Sequence, residues 1–220
     1  MKRIPEPELM DAPAQAQAYA EADFSESNQA FVDAFIRFAE AGTEGRLIDL
    51  GCGPGDICLR LARAMPGWRI IGLDAGPNML ALAQAAVEAA QASSIELALR
   101  RLPCELPGQP LDAIVSNSLL HHLPDPMALW NTIADQAGPG CRVQIMDLHR
   151  PDSPEQARAI VEQYAGDAPE VLATDFYNSL LAAYTADEVI DQCRQAGLET
   201  MVLTRPSDRH WLVQGILPTG

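Results

Sequence analysis

The 220-residue chain is long enough for one α/β domain with a full core and too short for two comfortable ones, and an aromatic content of 5% leaves that core to Ala, Leu, Ile and Val. With 30 acidic against 15 basic residues the net charge is −15, a field that repels nucleic-acid backbones and anionic lipid, so neither partner is expected. The five cysteines make no C-x-x-C pair, and no apolar run follows Lys2-Arg3 or reaches bilayer length elsewhere, so the expectation is a soluble, reduced, cytoplasmic protein.

In chain order, residues 1–15 carry Pro, Gln and acidic residues without a period and read as a loose tail. From 16 to 41, Tyr19, Phe24, Phe31, Phe35 and Phe38 recur at helical spacing with a break near Ser25 to Ser27, which predicts two helices ahead of the main sheet. Ser25, Ser27 and Asn28 offer caps for the second helix, and Gly42 and Gly45 are expected to end it.

A buried-strand pattern at Arg46 to Leu50 is followed by a glycine loop and a helix over Ile57 to Met65, and Trp68 to Leu73 is a second strand ending at Asp74. Pro77 can start an Ala-rich helix running to Gln91, which completes a βαβ unit. Strands at Ile95 to Leu99, Ala113 to Ser116 and Arg142 to Leu148, with a helix over Pro126 to Ala137, extend the alternation to a doubly wound, mostly parallel sheet over 42–150. Helical segments then fill 151–198, and Glu199 to Thr204 with His210 to Leu217 predicts an antiparallel hairpin over 199–217 that closes the sheet of a single domain.

Chemistry concentrates at Asp49-Leu50-Gly51-Cys52-Gly53-Pro54-Gly55. Three glycines between a strand and a helix remove the Cβ atoms that would keep a ligand off the backbone, although a tight turn alone would also use them. The spacing is not G-x-G-x-x-G and no P-loop lysine follows, so phosphate is not the obvious ligand. Asp49 before the loop favours a ligand carrying a cation, and Asp74 at the next strand end is placed for ribose hydroxyls, a pair that suits a zwitterionic nucleoside. Strand-end capping and solvated charge are the bland alternatives for both acids, and core packing is the alternative for Met79.

Leu47 to Gly55, then Ile71-Gly72-Leu73-Asp74 with Met79, then Asp112 to Asn117 together resemble the class I S-adenosylmethionine-dependent methyltransferases, with the three motifs in that family's order. The resemblance covers roughly 28 to 217 and implies a Rossmann-like fold. It also implies S-adenosylmethionine as cofactor, S-adenosylhomocysteine as product and a small-molecule acceptor. By the same resemblance Gly51, Cys52, Gly53 and Gly55 line the methionine and ribose side, Asp74 holds the ribose, Ala75 and Met79 flank the adenine, Asp49 sits near the ammonium, and Asn117 meets the methionine near the reacting methyl. Where many relatives carry Gly-Asp-Ala after the third strand this chain has Arg100-Arg101-Leu102, so the adenine contact is expected from backbone near Leu102 or from elsewhere.

Methyl transfer from a sulfonium is a displacement governed by alignment and desolvation, and a base is needed only if the acceptor must lose a proton. His121 and His122 lie just beyond the fourth strand and Asp147 ends the fifth, where such a base would act, with capping or packing as the alternative for the histidines and an Arg150 salt bridge for Asp147. Tyr19 and Phe24 are candidates for a lid, and Tyr177 and Tyr184 for an aromatic acceptor surface, with core packing as the alternative for all four. No metal site is expected. Methylation of a protein, and a binding module without turnover, stay open beside small-molecule methylation, and oligomeric state is not legible.

Overall fold

The computed structural model describes residues 1–6, 11–40 and 42–219. Seven strands form one sheet in the order β3-β2-β1-β4-β5-β7-β6. The first five, β1 (Gly45–Leu50), β2 (Trp68–Asp74), β3 (Ile95–Leu99), β4 (Ala113–Asn117) and β5 (Arg142–Leu148), are parallel to one another. β7 (His210–Ile216) runs antiparallel against β5, and β6 (Val202–Thr204) pairs with β7 at the edge, so the expected Rossmann-like sheet and its closing hairpin are both present. The parallel direction follows from right-handed helical crossovers, and the order reverses between β1 and β4, where the strand ends open a crevice.

Alternation along the strands sorts the core into two faces. Ile48 and Leu50 of β1 and Ile71 and Leu73 of β2 pack with α5 (Met127–Gln136) and α8 (Ala186–Gln195). Leu47 and Ile70 face the other way, against Phe31, Val32 and Phe35 of α2 (Ser25–Ala39) and Leu61 of α3 (Asp56–Ala64). A period of two on strands buried on both sides gives this division directly. A third cluster joins Leu148 to α6 (Pro154–Ala165) and α7 (Glu170–Ala182).

Two local expectations change. The N-terminal turn of α2 is held by Asp23, whose Oδ1 accepts from Ser25 N at 2.9 Å, while Ser25 and Asn28 lie inside the helix. The helix ends not at a glycine but at Glu40, which takes the left-handed conformation, and Gly45 already belongs to β1.

The larger difference lies at the N-terminus. Residues 1–6 form a strap instead of a loose tail: Ile4 N donates to Leu181 O at 2.9 Å, and the Arg3 guanidinium donates to Ala182 O at 2.5 Å and to His121 O at 2.9 Å while stacking 4.2 Å over the Tyr184 ring. Residues 7–10 lie outside the described part. Helical order starts earlier than 16, at Pro13 of α1 (Pro13–Glu21). Composition marks a segment as polar but is blind to carbonyls that distant elements present to it, and these carry the strap.

Asp11 shows the same logic. Gly76, at the N-cap of α4 (Pro77–Ala89), has no side chain to cap with, and Asp11 Oδ1 supplies the acceptor for Asn78 N at 2.9 Å and Met79 N at 3.1 Å. Asp11→Ala is expected to lower stability by about 1 kcal/mol, the usual value of an N-cap, read as a fall in thermal midpoint. An unchanged midpoint would mean that water caps this helix equally well.

Candidate active site

The crevice between β1 and β4 holds a cavity of about 270 Å³. Its floor is the loop after β1. Gly51 and Gly53 take left-handed φ values of 74° and 51°, and Gly51 N and Cys52 N both donate to Leu73 O, pinning the loop across the end of β2. A Cβ on Gly53 would meet no described atom within 4 Å, so bare backbone faces open space, whereas one on Gly51 would press Leu119 at 2.9 Å. Gly55, the third glycine, does not line the cavity: it is the left-handed N-cap of α3, packed against Ala83 of α4.

Two acids border that floor. Asp49 is 1% exposed and accepts from the Cys58 thiol at 3.3 Å, and burial pushes its pKa up to about 7. An acid so placed gains most from a cation or donor entering the cavity, because desolvation is what opposes its charge. Asp74 ends β2 with Oδ2 accepting from Gly53 N and Oδ1 from Gly76 N, each at 2.8 Å. Burial raises its pKa above the usual carboxylate value despite those two donors, and Asp11 adds to the rise.

Around the rim lie Ala75, Met79 and Leu102, with Arg100 and Arg101 beside them, so the segment after β3 does reach the cavity. Asn117 ends β4 on the opposite wall. Its Oδ1 is buried and has no hydrogen-bond partner among the described residues, which is costly unless a ligand donor meets it. Tyr19 of α1 and Phe24 line the cavity with ring centroids 4.8 Å apart, and burial lifts the Tyr19 phenol to about 12.

Beyond Asn117 a short 3₁₀ turn (Leu120–His122) sends its two histidines to different places. His122 lines the cavity; His121 is 3% exposed and lies behind it. His121 Nδ1 pairs with Asp147 Oδ1 of β5, whose Oδ2 also accepts from His121 N at 3.0 Å. Burial is the largest single influence and opposes both charges, but the partner's charge and the hydrogen bonds around the pair together outweigh it, so Asp147 titrates below the usual carboxylate value and His121 above the usual imidazole value. Asp147 does not bridge Arg150, which instead reaches Glu188 at 2.7 Å.

The strap adds a group to this cluster. Glu6 Oε1 lies 3.0 Å from His122 Nδ1 and 3.6 Å from His121 Nε2, and accepts from Ser179 Oγ at 3.2 Å. Burial and the neighbouring His121 hold His122 below its usual pKa although Glu6 works the other way. Donor atoms of Glu6, His121 and His122 lie within 4.8 Å of one another, the reach of a metal ion. With Arg3 on the His121 carbonyl and Asp147 on its ring, Glu6 and the two histidines already have opposite charges beside them, and we read the five residues as a charge-balanced cluster.

A sequence profile described as a methyltransferase domain matches residues 21–203, well over half of the chain. The chain belongs to this methyltransferase family. It is 37% identical over 115 residues to a trans-aconitate 2-methyltransferase of Streptomyces avermitilis, a match covering 50% of this chain and 42% of that protein. A namesake from Mycobacterium tuberculosis is 33% identical over 112 residues, covering 51% and 40%. The aligned region is thus less than half the length of these relatives. Among solved structures, the chain resembles a phosphoethanolamine N-methyltransferase 2 of Haemonchus contortus (TM-score 0.72, 15% identity, 94% of this chain and 58% of that one). It also resembles a SAM-dependent methyltransferase of Aquifex aeolicus (TM-score 0.66, 16% identity, 94% and 98%). At those identities the likeness speaks for the fold, and among the described residues no helix is long and apolar enough to cross a membrane.

Within the methyltransferase fold the helical region after β5 does not supply the expected aromatic surface. Tyr177 packs into the cluster under Leu148 with Arg158 5.7 Å over its ring, and Tyr184 is buried in the main core beneath Arg3; neither lines the cavity. Helices α6 and α7 turn their apolar faces to the end of β5, and burial of those rings wins over exposure to the cavity. Glu6 and Arg3 escape sequence reasoning because nothing near them in the chain hints at the histidines they meet. Asn28, Asp56 and Arg60 do as well: Asn28 donates to Asp56 at 2.9 Å and Arg60 pairs with it at 2.6 Å, at the mouth of the cavity.

Proposed function

We propose that this chain binds S-adenosylmethionine in the β1/β4 crevice and transfers its methyl group to a small-molecule acceptor, with S-adenosylhomocysteine as product. The observation that carries the proposal is the bare Gly51–Gly53 backbone set between the buried Asp49, the half-buried Asp74 and an Asn117 Oδ1 without a partner among the described residues. That donor set fits the ligand: Asp74 accepts from ribose hydroxyls, Asp49 and Asn117 face the methionine ammonium, and Ala75, Met79 and Leu102 flank the adenine. Gly51, Cys52 and Gly53 lie along the middle, and Gly55 acts by setting the loop's exit into α3. When bound, the cofactor supplies a methyl carbon made electrophilic by the sulfonium.

The protein's part is placement and drying. Tyr19 and Phe24 exclude water from the opening, and the walls hold an acceptor in line with the methyl, where alignment removes much of the barrier. Of the groups past β4, His122 is the one that lines the cavity and can take a proton, and His121 and Asp147 stand behind it. The acidic surface and enclosed cavity favour a small acceptor over nucleic acid or membrane, and the five cysteines, all free, suit a reducing compartment such as the cytoplasm.

Calorimetry with S-adenosylmethionine and S-adenosylhomocysteine tests the cofactor. Both are expected to bind one site per chain, and failure of both would end this reading. Metabolite profiling with a labelled methyl donor then identifies the acceptor, with trans-aconitate as one compound on the panel because the matched relatives bear its name.

A further inference from the structure

The Glu6 carboxylate is 10% exposed, sits beside His122 and comes from a segment that no methyltransferase motif includes. A carboxylate so buried needs partners, and its neighbours can be counted by charge. Around the pair are Arg3 on the strap, His121 on the same turn and Asp147 on β5, while His210 on β7 and Tyr19 on α1 feel the charge of Asp147. Asp147 and Glu6 are the two anions; Arg3 and a protonated His121 are the two cations. The cluster is neutral when His122 is uncharged, and a proton on His122 Nδ1 is the one that can point at Glu6. That nitrogen is buried and lies 3.0 Å from Glu6 Oε1 without yet being aligned on it, a separation of the kind that tightens when a site closes on its ligands.

We infer that Glu6 is a positioning residue: it holds His122, which lines the cavity, as the neutral Nδ1–H tautomer, so that Nε2 is the ring nitrogen left to accept a proton, and the acceptor is therefore one that gives up a proton, a hydroxyl or an amine, not a carboxylate. This rests on the methyl-transfer reading above. The acceptor's lone pair forms the new bond to the methyl carbon as the carbon–sulfur bond breaks and its electron pair stays on sulfur. The acceptor's proton passes to His122 Nε2 and then to water. A carboxylate acceptor arrives without a proton to lose, so a poised base adds nothing for it, and it would bring another negative charge up to Glu6 and Asp147 in a poorly solvated site.

The free protein gives a readout independent of turnover. It has four histidines, so imidazole nitrogen NMR can be assigned, and His122 is expected as the neutral Nδ1–H tautomer at pH 7 in the wild type and as a mixture in Glu6→Gln. A His122 carrying its proton on Nε2, or charged at pH 7, would overturn the inference without any variant having to fold. In turnover, Glu6→Gln is expected to lower kcat about 10²-fold for hydroxyl or amine acceptors, with the KM for S-adenosylmethionine unchanged. The acidic limb of its pH profile should move to lower pH, because the anion favouring protonated His122 is gone.

An acceptor panel completes the test. Transfer to carboxylates in preference to hydroxyls and amines would sink the inference, as would activity lost to a chelator and restored by a divalent ion, since Glu6, His121 and His122 would then be ligands. Calorimetry of S-adenosylhomocysteine runs alongside. Wild-type protein that fails to bind it defeats the cofactor reading, while normal binding with an indifferent Glu6→Gln defeats the inference alone.

Discussion

Asp74→Ala is expected to weaken S-adenosylhomocysteine binding roughly 10- to 150-fold, the ~1.5–3 kcal/mol that a hydrogen bond to a charged group contributes. Asp74 is placed to act twice. Its oxygens already anchor Gly53 N and Gly76 N, so removing them loosens the glycine loop and the entry to α4 together, and the ribose hydroxyls lose their acceptor as well. Asp74→Asn keeps one acceptor oxygen and is expected to fall between the two. Calorimetry at matched fold content, checked by circular dichroism, measures the effect. Binding within twofold of wild type for the alanine variant would show that the acid merely caps the end of β2.

Asp147→Ala should produce the largest stability change, a loss of about 3–5 kcal/mol at pH 6, because it leaves a buried His121 charge without its partner. The backbone amides of His121 and Leu148 lose their acceptor at the same time. The pH dependence follows from the two shifts. The pKa of Asp147 is lowered from 3.8, so its contribution is present above that value and is lost as pH falls through the lower folded one. That of His121 is raised from 6.5, so its contribution is complete below 6.5 and is lost as pH rises through the higher folded one. The difference between wild type and variant in urea unfolding should therefore be greatest between about pH 4 and 6.5 and shrink on either side. A difference constant from pH 4 to 9 would remove the ion pair as its cause.

Other features separate along a line of physical scale. The βαβ alternation, the glycine loop, and Asp49, Asp74 and Asn117 toward the ends of β1, β2 and β4 are legible residue by residue. Strand period, turn chemistry and the parallel crossover rule together carry those three residues to one edge of the sheet. The Arg100-Arg101-Leu102 segment follows β3 for the same reason and reaches the cavity. Gly55 was legible as a loop glycine but not as a helix cap facing away from the cavity, because its place depends on Ala83 of the next helix.

His121 and His122 mark where sequence reading stops. Adjacent in the chain and alike in type, they differ in burial, partner and direction of pKa shift, since one meets Asp147 and the other meets the cavity and Glu6. Tyr177 and Tyr184 fail as acceptor-surface residues for a related reason: the sequence shows that a ring will be buried, not which apolar neighbour will bury it.

The alternation of strands and helices therefore determined that this chain would fold as a parallel α/β sheet, and the glycine loop followed by spaced acids, with the family resemblance they carry, pointed to a nucleoside site at its switch point. Only the tertiary structure decided what stands at the reacting end of that crevice. A strap composed like a loose tail finds the exposed carbonyls of Leu181, Ala182 and His121 and so brings Glu6 to His122. Burial and charge balance among residues distant in the chain set protonation there, and neither quantity exists until the chain is folded.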